Sequence, residues 1–126
     1  MLHLVKPLGF DMDDAKLRRA GLDYHDLAHV TVHENLDEAL DQVPGRVWAF
    51  TGHAHTMHSE VAYADGDGLL FGRESVGLSS EAMAHRRVED LVRIHMVEGV
   101  RSLNLANSAS IALYEAWRQL GFPGGV

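Results

Sequence analysis

The chain has 126 residues and a mass of 13.9 kDa, which is the size of one ordinary domain with one hydrophobic core. Its content of 46% hydrophobic and 23% charged residues excludes a disordered chain. The 11 basic and 18 acidic side chains give a net charge of −7, which argues against a surface that is basic throughout but leaves room for a local basic patch. Cysteine is absent, so disulfides, thiolate metal sites and cysteine nucleophiles are excluded.

The sequence also indicates the cellular compartment of the protein. The first residues lack the basic and apolar segments of a signal peptide, and no apolar run approaches the roughly 20 residues that span a bilayer. We therefore expect a soluble cytoplasmic protein with no membrane partner.

The first part of the chain predicts two strands and two helices. Residues 2–5 form an apolar run that Pro7 ends, and a short basic helix is predicted over residues 13–20, before Gly21. A second strand is predicted over 27–32. Leucine and valine then recur at helical spacing over 34–43, before the pair Pro44 and Gly45.

The second part contains the strongest patterns. Residues 47–50, 69–71 and 91–94 are unbroken apolar runs, typical of strands buried on both faces. A long helix is predicted over 104–120, with Gly121 just beyond it. Its first half is rich in alanine and serine, which allows another backbone or a ligand to approach closely. Strands that alternate with helices predict an α/β fold with a mostly parallel sheet.

Ligands of such sheets bind beyond the carboxyl ends of the strands, so we expect the site in the loops 51–53, 72–78 and 96–104. The loop between Gly72 and Gly77 is not a nucleotide-phosphate loop, because Leu78 and Ser79 follow where lysine and serine or threonine are required. No serine lies in a nucleophile elbow, so hydrolase chemistry has little support.

Three histidines, His53, His55 and His58, fall within one predicted loop. A zinc site would need further ligands and carboxylate partners, and Glu60 is the one acid nearby. We therefore favour a polar loop rich in histidine and expect no metal.

Basic side chains cluster at Lys16, Arg18 and Arg19. They are candidates for contacts with nucleic-acid phosphates, and further candidates are Arg73, Arg86, Arg87, Arg93 and Arg101. Arginines on helices are more often part of a solvated face, and this alternative stays open.

Three groups of motifs carry a family resemblance. They lie in residues 8–25, in 71–78 and in 93–121, the last with Arg-Ile-His-Met, Arg-Ser-Leu-Asn-Leu-Ala-Asn and Tyr-Glu-Ala-Trp-Arg-Gln-Leu-Gly. In order and spacing they closely resemble the SpoU-type (SPOUT) RNA 2′-O-methyltransferases, in particular small enzymes that act on the tRNA wobble nucleotide. The resemblance implies one domain over residues 1–126, a carboxyl-terminal trefoil knot, S-adenosylmethionine as methyl donor, tRNA as substrate and a homodimer.

The resemblance also implies roles for individual residues. Catalysis would involve Glu74, Ser102 and Asn104. The residues implied for donor binding are Phe50, Thr51, Gly52, Gly72, Ile94, Met96, Ser102 and Leu103. Those implied for RNA binding, together with the basic candidates above, are Lys16, Arg18, Arg19, Arg73 and Tyr114.

One departure from the family is at the amino terminus. Family members begin with a strand and a helix that bear an Asn-x-Gly-Asn-x-x-Arg motif, whose arginine is held to activate the 2′-hydroxyl. This chain starts after that segment, so the resemblance implies a domain truncated at its amino terminus. The alternative function is therefore a catalytically impaired homodimer that binds donor and RNA.

Overall fold

The computed structural model describes residues 2–5, 30–73, 77–96 and 105–125. The chain divides into two compact units, Met1–Gln42 and Val43–Val126.

The first unit contains two parallel strands and a short helix. Strand β1 (Leu2–Val5) pairs with β2 (Val30–His33) from Leu2 opposite Val30 to Val5 opposite His33. Helix α1 (Leu36–Asp41) begins after Asn35, whose side-chain oxygen accepts a hydrogen bond from the Glu38 amide at 2.9 Å. This N-cap satisfies an amide that lacks a partner within the helix.

The second unit is built on a four-stranded parallel sheet in the order β4, β6, β3, β5. The strands are β3 (Val47–Phe50), β4 (Thr56–Met57), β5 (Gly68–Leu70) and β6 (Val88–Arg93). All three strand pairings are parallel. The carboxyl ends of β3, β5 and β6 therefore lie at one edge of the sheet.

Strand β3 is the buried centre of this sheet. All four of its residues are buried, as expected for a strand covered on both faces. Trp48 and Phe50 join Val61, Tyr63 and Val92 in the core cluster. The apolar run seen in the sequence is thus explained by burial on both sides.

Three helical segments complete the second unit. A 3₁₀ turn (His58–Glu60) follows β4, and the short helix α2 (Ser80–Met83) begins after Ser79, whose hydroxyl accepts a hydrogen bond from the Ala82 amide. Helix α3 (Leu105–Gln119) packs its buried Ala112 into the core cluster. Gly121, just beyond the end of α3, has a φ of +85°, which suits a residue without a side chain.

The α/β class with parallel strands, predicted from the sequence, is confirmed. Strands were correctly predicted around 2–5, 47–50, 69–71 and 91–94, and so was the long final helix. The predicted helix at 13–20 lies outside the described residues. Segments 74–76 and 97–104, in the region where the resemblance places the knot, also lie outside them, so the knot stays a prediction. None of the helices in the described ranges combines the length and apolar character needed to cross a membrane.

Candidate functional site

An open cavity of about 760 Å³ lies at the carboxyl ends of β3, β5 and β6. Helix α2 and the first turn of α3 form the rest of its wall. The volume falls in the range of sites for small organic ligands. The described residues that line it are Phe50, Thr51, Gly52, His53, Phe71, Gly72, Arg73, Gly77, Leu78, Ser80, Met83, Arg93, Ile94, Met96, Leu105 and Ser108.

The end of β3 supplies an aromatic wall and a sharp turn. The Phe50 ring stacks on Phe71, with ring centroids 4.6 Å apart and an angle of 18° between the planes. The Thr51 amide donates to the Val92 carbonyl at 3.0 Å, which keeps β3 and β6 in register just before the cavity. Gly52 follows, and an added Cβ there would meet open space. The backbone is therefore accessible from the cavity at this point.

The segment after β5 forms a tight backbone crossing. The Gly77 amide donates to the Arg73 carbonyl at 2.7 Å, and Gly77 has a φ of +70°. A Cβ on Gly72 would overlap the backbone of Gly77 and Leu78. Only glycine fits at position 72 without a shift of that backbone, so Gly72 fixes the shape of this wall.

The third wall comes from the end of β6 and from α3. Ile94 packs against the core, whereas Met96 is 41% exposed. Leu105 and Ser108 face the cavity from the first turns of α3. The small Ser108 leaves room beside the helix, as the alanine- and serine-rich sequence predicted.

Together these walls combine aromatic and aliphatic side chains with accessible backbone at the strand ends. Such a surface suits a planar aromatic ring that is held between apolar side chains and hydrogen-bonded to backbone groups. The cavity has the volume and the chemistry for a ligand of nucleoside type.

A polar network anchors the last turns of α3. The Gln119 amide nitrogen donates to the Val61 carbonyl, and the Gln119 side-chain oxygen accepts from the Tyr63 amide, each at 2.9 Å. Hydrogen bonds from Arg118 and Gln119 lower the pKa of Glu115 to about 2. Burial, aided by the charge of Glu115, raises the pKa of Tyr63 to about 12. At neutral pH the network therefore holds an ionised Glu115 and a neutral Tyr63.

His58 lies next to this network and is buried, with 6% exposure. Burial lowers its pKa, and the charge of Glu115 partly opposes that effect. His53 and His55 are exposed. Within the part of the chain that the structure describes, no group of three or more histidine or acidic side chains is placed to hold a metal ion.

Six of the eight donor-binding residues implied by the resemblance line the one cavity: Phe50, Thr51, Gly52, Gly72, Ile94 and Met96. Arg73 lines it as well. Tyr114 does not, and is 63% exposed on α3, where its ring packs edge to face on Trp117. The residues that lie outside the described ranges are Lys16, Arg18, Arg19, Glu74, Ser102, Leu103 and Asn104.

Of the lining residues, His53 falls in the predicted site loop 51–53 and Arg93 was a candidate for phosphate contacts, whereas Met83 was missed. Strand ends indicated both positions, because His53 follows the predicted strand 47–50 and Arg93 lies near the end of the predicted strand 91–94. Met83 lies on α2, which is too short to give a periodic signal in the sequence.

The sequence matches the model of the SpoU rRNA Methylase family over residues 1–114. It is 47% identical to the tRNA (cytidine(34)-2′-O)-methyltransferase of Escherichia coli (strain K12) over 126 residues, which cover 99% of this chain and 80% of that protein.

Solved structures show the same similarity. One, described as structural insights into the 2′-OH methylation of C/U34 on tRNA, superposes with a TM-score of 0.84 and 43% identity, covering 95% of this chain and 78% of that one. The SpoU methyltransferase AviRb from Streptomyces viridochromogenes, solved with the cofactor AdoMet, has a TM-score of 0.78 at 23% identity and covers 94% and 49% of the two chains. The AviRb likeness bears on the fold alone.

Proposed function

The chain belongs to the SpoU rRNA methylase family, and from that premise we propose that it methylates the ribose 2′-hydroxyl of nucleotide 34, the wobble position, of a tRNA. The methyl donor is S-adenosylmethionine. The observation that carries the proposal is the cavity at the strand ends, in a chain 47% identical to a tRNA (cytidine(34)-2′-O)-methyltransferase.

The residues around the cavity fit this donor. The stacked pair Phe50 and Phe71 offers apolar surface to an adenine ring. Accessible backbone at Gly52 and the close crossing at Gly72 leave peptide groups for hydrogen bonds to the base and the ribose. A volume of about 760 Å³ accommodates a nucleoside with an amino-acid tail.

The donor supplies an electrophilic methyl group on a positively charged sulfur. As the 2′-oxygen forms its bond to the methyl carbon, the carbon–sulfur bond breaks, and the hydroxyl proton leaves to a base. The contribution of the protein to such a displacement is alignment of the two reactants and removal of the proton. We assign Glu74, Ser102 and Asn104 to the arrangement of the reacting groups, together with Leu103 at the donor.

The RNA side of the proposal involves the cationic residues. Arg73 lies on the cavity wall, where it can reach a phosphate next to the bound nucleotide. We also assign Tyr114 and the basic residues Lys16, Arg18 and Arg19 to RNA binding. The basic residues would supply local positive charge on an acidic protein that works in the cytoplasm.

We also propose that the protein acts as a homodimer through α3. This helix and the segment after it expose large apolar side chains, with Leu113 at 64%, Tyr114 at 63% and Phe122 at 42%. The rings of Tyr114 and Phe122 contact one another, and large exposed apolar patches are rare on monomers. A second copy of the same helix would cover them in a two-fold interface.

The proposal is tested by transfer of labelled methyl from S-adenosylmethionine to tRNA transcripts with cytidine or uridine at position 34. The matched control is the same tRNA with a 2′-deoxynucleotide at that position, which lacks only the nucleophile. Methylation of the first and none of the second supports the proposal. Donor and tRNA binding without methylation of either would favour the catalytically impaired binding protein instead.

A further inference from the structure

The rim of the cavity has a distinctive charge pattern. Among its described lining residues, His53, Arg73 and Arg93 are basic and none is acidic. The chain as a whole carries a net charge of −7. A basic rim on an acidic chain indicates a ligand with negative charge.

Arg93 is the less constrained of the two rim arginines. It is the last residue of β6 and is exposed, whereas its neighbour Val92 is fully buried in the core. Within the described ranges, its guanidinium has neither a hydrogen-bond partner nor an ion-pair partner. Its five N–H donors are therefore available to a ligand.

Two other arginines of this unit are engaged in structural contacts. Arg46 pairs with Asp67 and lies over the Trp48 ring. Arg87 donates to the carbonyl oxygens of Val43 and Gly45. The contrast with Arg93 indicates that the fold does not require the Arg93 guanidinium for its own packing.

His53 reaches the same rim from the neighbouring strand. Strands β3 and β6 pair in parallel with Phe50 opposite Val92, so the residues just beyond them emerge side by side. The His53 amide donates to the Thr51 hydroxyl at 3.3 Å, which makes a tight turn and leaves the exposed ring at the cavity. An imidazole donates at least one N–H in either protonation state.

We propose that Arg93, assisted by His53, binds a phosphodiester group of the RNA strand next to the ribose that is methylated. This inference rests on the proposed function and adds residues that determine how the acceptor strand is held. The 2′-oxygen lies only a few covalent bonds from the phosphate of the same nucleotide. The Arg93 guanidinium at the cavity mouth can therefore bind that phosphate while the apolar walls hold the donor.

The carboxylate of the methyl donor is a second source of negative oxygens. The exposure of Arg93 at the rim favours the RNA, because an extended strand reaches a solvent-exposed arginine without entering the cavity. The two sources are separated by measuring donor and RNA affinities independently.

The test compares Arg93→Gln, Arg93→Lys and His53→Asn with Arg86→Gln. Arg86 is an exposed arginine of the same unit that does not line the cavity, so its substitution makes the same change in charge elsewhere. Dissociation constants for tRNA are measured from about 50 to about 200 mM salt, where the slope reports the number of phosphate contacts. Calorimetry with S-adenosylhomocysteine gives the donor-site affinity.

We expect Arg93→Gln to weaken tRNA binding about five- to tenfold and to reduce the salt slope by about 0.7 to 0.9, the value for one phosphate. His53→Asn should weaken binding about two- to threefold, and Arg93→Lys should retain the wild-type slope. Arg86→Gln should change affinity by less than about twofold. Affinity for S-adenosylhomocysteine should be unchanged in all four variants.

Two results would overturn the inference. One is an Arg93→Gln variant with the same tRNA affinity and salt slope as Arg86→Gln. The other is an Arg93→Gln variant that loses affinity for S-adenosylhomocysteine, which would assign the arginine to the donor. Failure of the proposed function is a different outcome, because the wild-type protein itself would then transfer no methyl group to tRNA.

Discussion

Substitution of Gly72 by alanine tests whether the backbone crossing shapes the donor site. The Cβ of alanine would lie closer than 3.0 Å to backbone atoms of both Gly77 and Leu78, a separation that real Cβ atoms essentially never show. Backbone cannot rotate away as the end of a flexible side chain can. The crossing must therefore open.

The size of the effect follows from the displacement. Relief of the overlap requires the crossing to move by about 1 Å, and misplacement of that size costs roughly a hundredfold in a site that works by alignment. Overpacking of this kind also lowers the free energy of unfolding by about 1 to 3 kcal/mol. We expect Gly72→Ala to lose at least about tenfold in affinity for S-adenosylhomocysteine and about a hundredfold in methyl transfer.

The assay is calorimetric titration with S-adenosylhomocysteine, paired with urea unfolding of the same variant. Gly52→Ala serves as the control for stability, because an added Cβ there meets nothing within 4 Å. Its unfolding midpoint should match that of the wild type. A Gly72→Ala protein that binds S-adenosylhomocysteine normally and unfolds at the wild-type midpoint would refute the reasoning.

Three further predictions concern stability and assembly. The Asp67 carboxylate is 5% exposed and accepts a hydrogen bond from the Trp48 indole at 3.0 Å as well as two from backbone amides. Asp67→Asn should lower the free energy of unfolding by about 1 to 3 kcal/mol, measured by urea unfolding followed by tryptophan fluorescence. An unchanged unfolding midpoint would contradict a stabilising role for these hydrogen bonds. A ring nitrogen of His3 is hydrogen-bonded to one of His33 at 2.8 Å, and burial lowers the pKa of His3. The free energy of unfolding, measured from pH 7.5 to about pH 5, should therefore contain a contribution from His3 that is complete above the ordinary histidine pKa and is lost as the pH falls below it. His3→Phe should weaken this pH dependence. Leu113→Glu on the exposed face of α3 should shift the protein from dimer to monomer in sedimentation experiments, and a dimer that persists would place the interface elsewhere.

The strands of the sheet could be predicted because a strand buried on both faces requires an unbroken run of apolar residues. Strand β3 is buried on both faces, and its run of four apolar residues has no other simple explanation. Helix α3 was predicted from its length and from Gly121, which provides the positive φ at its end. The location of the cavity followed from the parallel order of the strands, and the family resemblance was confirmed by the match over residues 1–114.

Other features depend on tertiary contacts that a single sequence does not show. Strand β4 has two residues and helix α2 has four, too few for a periodic pattern. The histidine-rich loop was interpreted as polar, yet His58 is buried against Phe50. The role of Gln119, which joins α3 to Val61 and Tyr63 through its amide, depends on residues more than 50 positions away.

The net charge of −7 and a phosphate-binding rim are compatible because electrostatic interactions in salt solution are local. At physiological ionic strength the Debye length is about 8 Å, so exposed acids farther away contribute little at the cavity mouth. The described lining of the cavity holds basic residues alone among its charged groups. An acidic chain with a basic rim should therefore bind RNA weakly over most of its surface and firmly at the site of methyl transfer. For an enzyme that must select one nucleotide and then release it, such a distribution of charge favours specificity over general affinity.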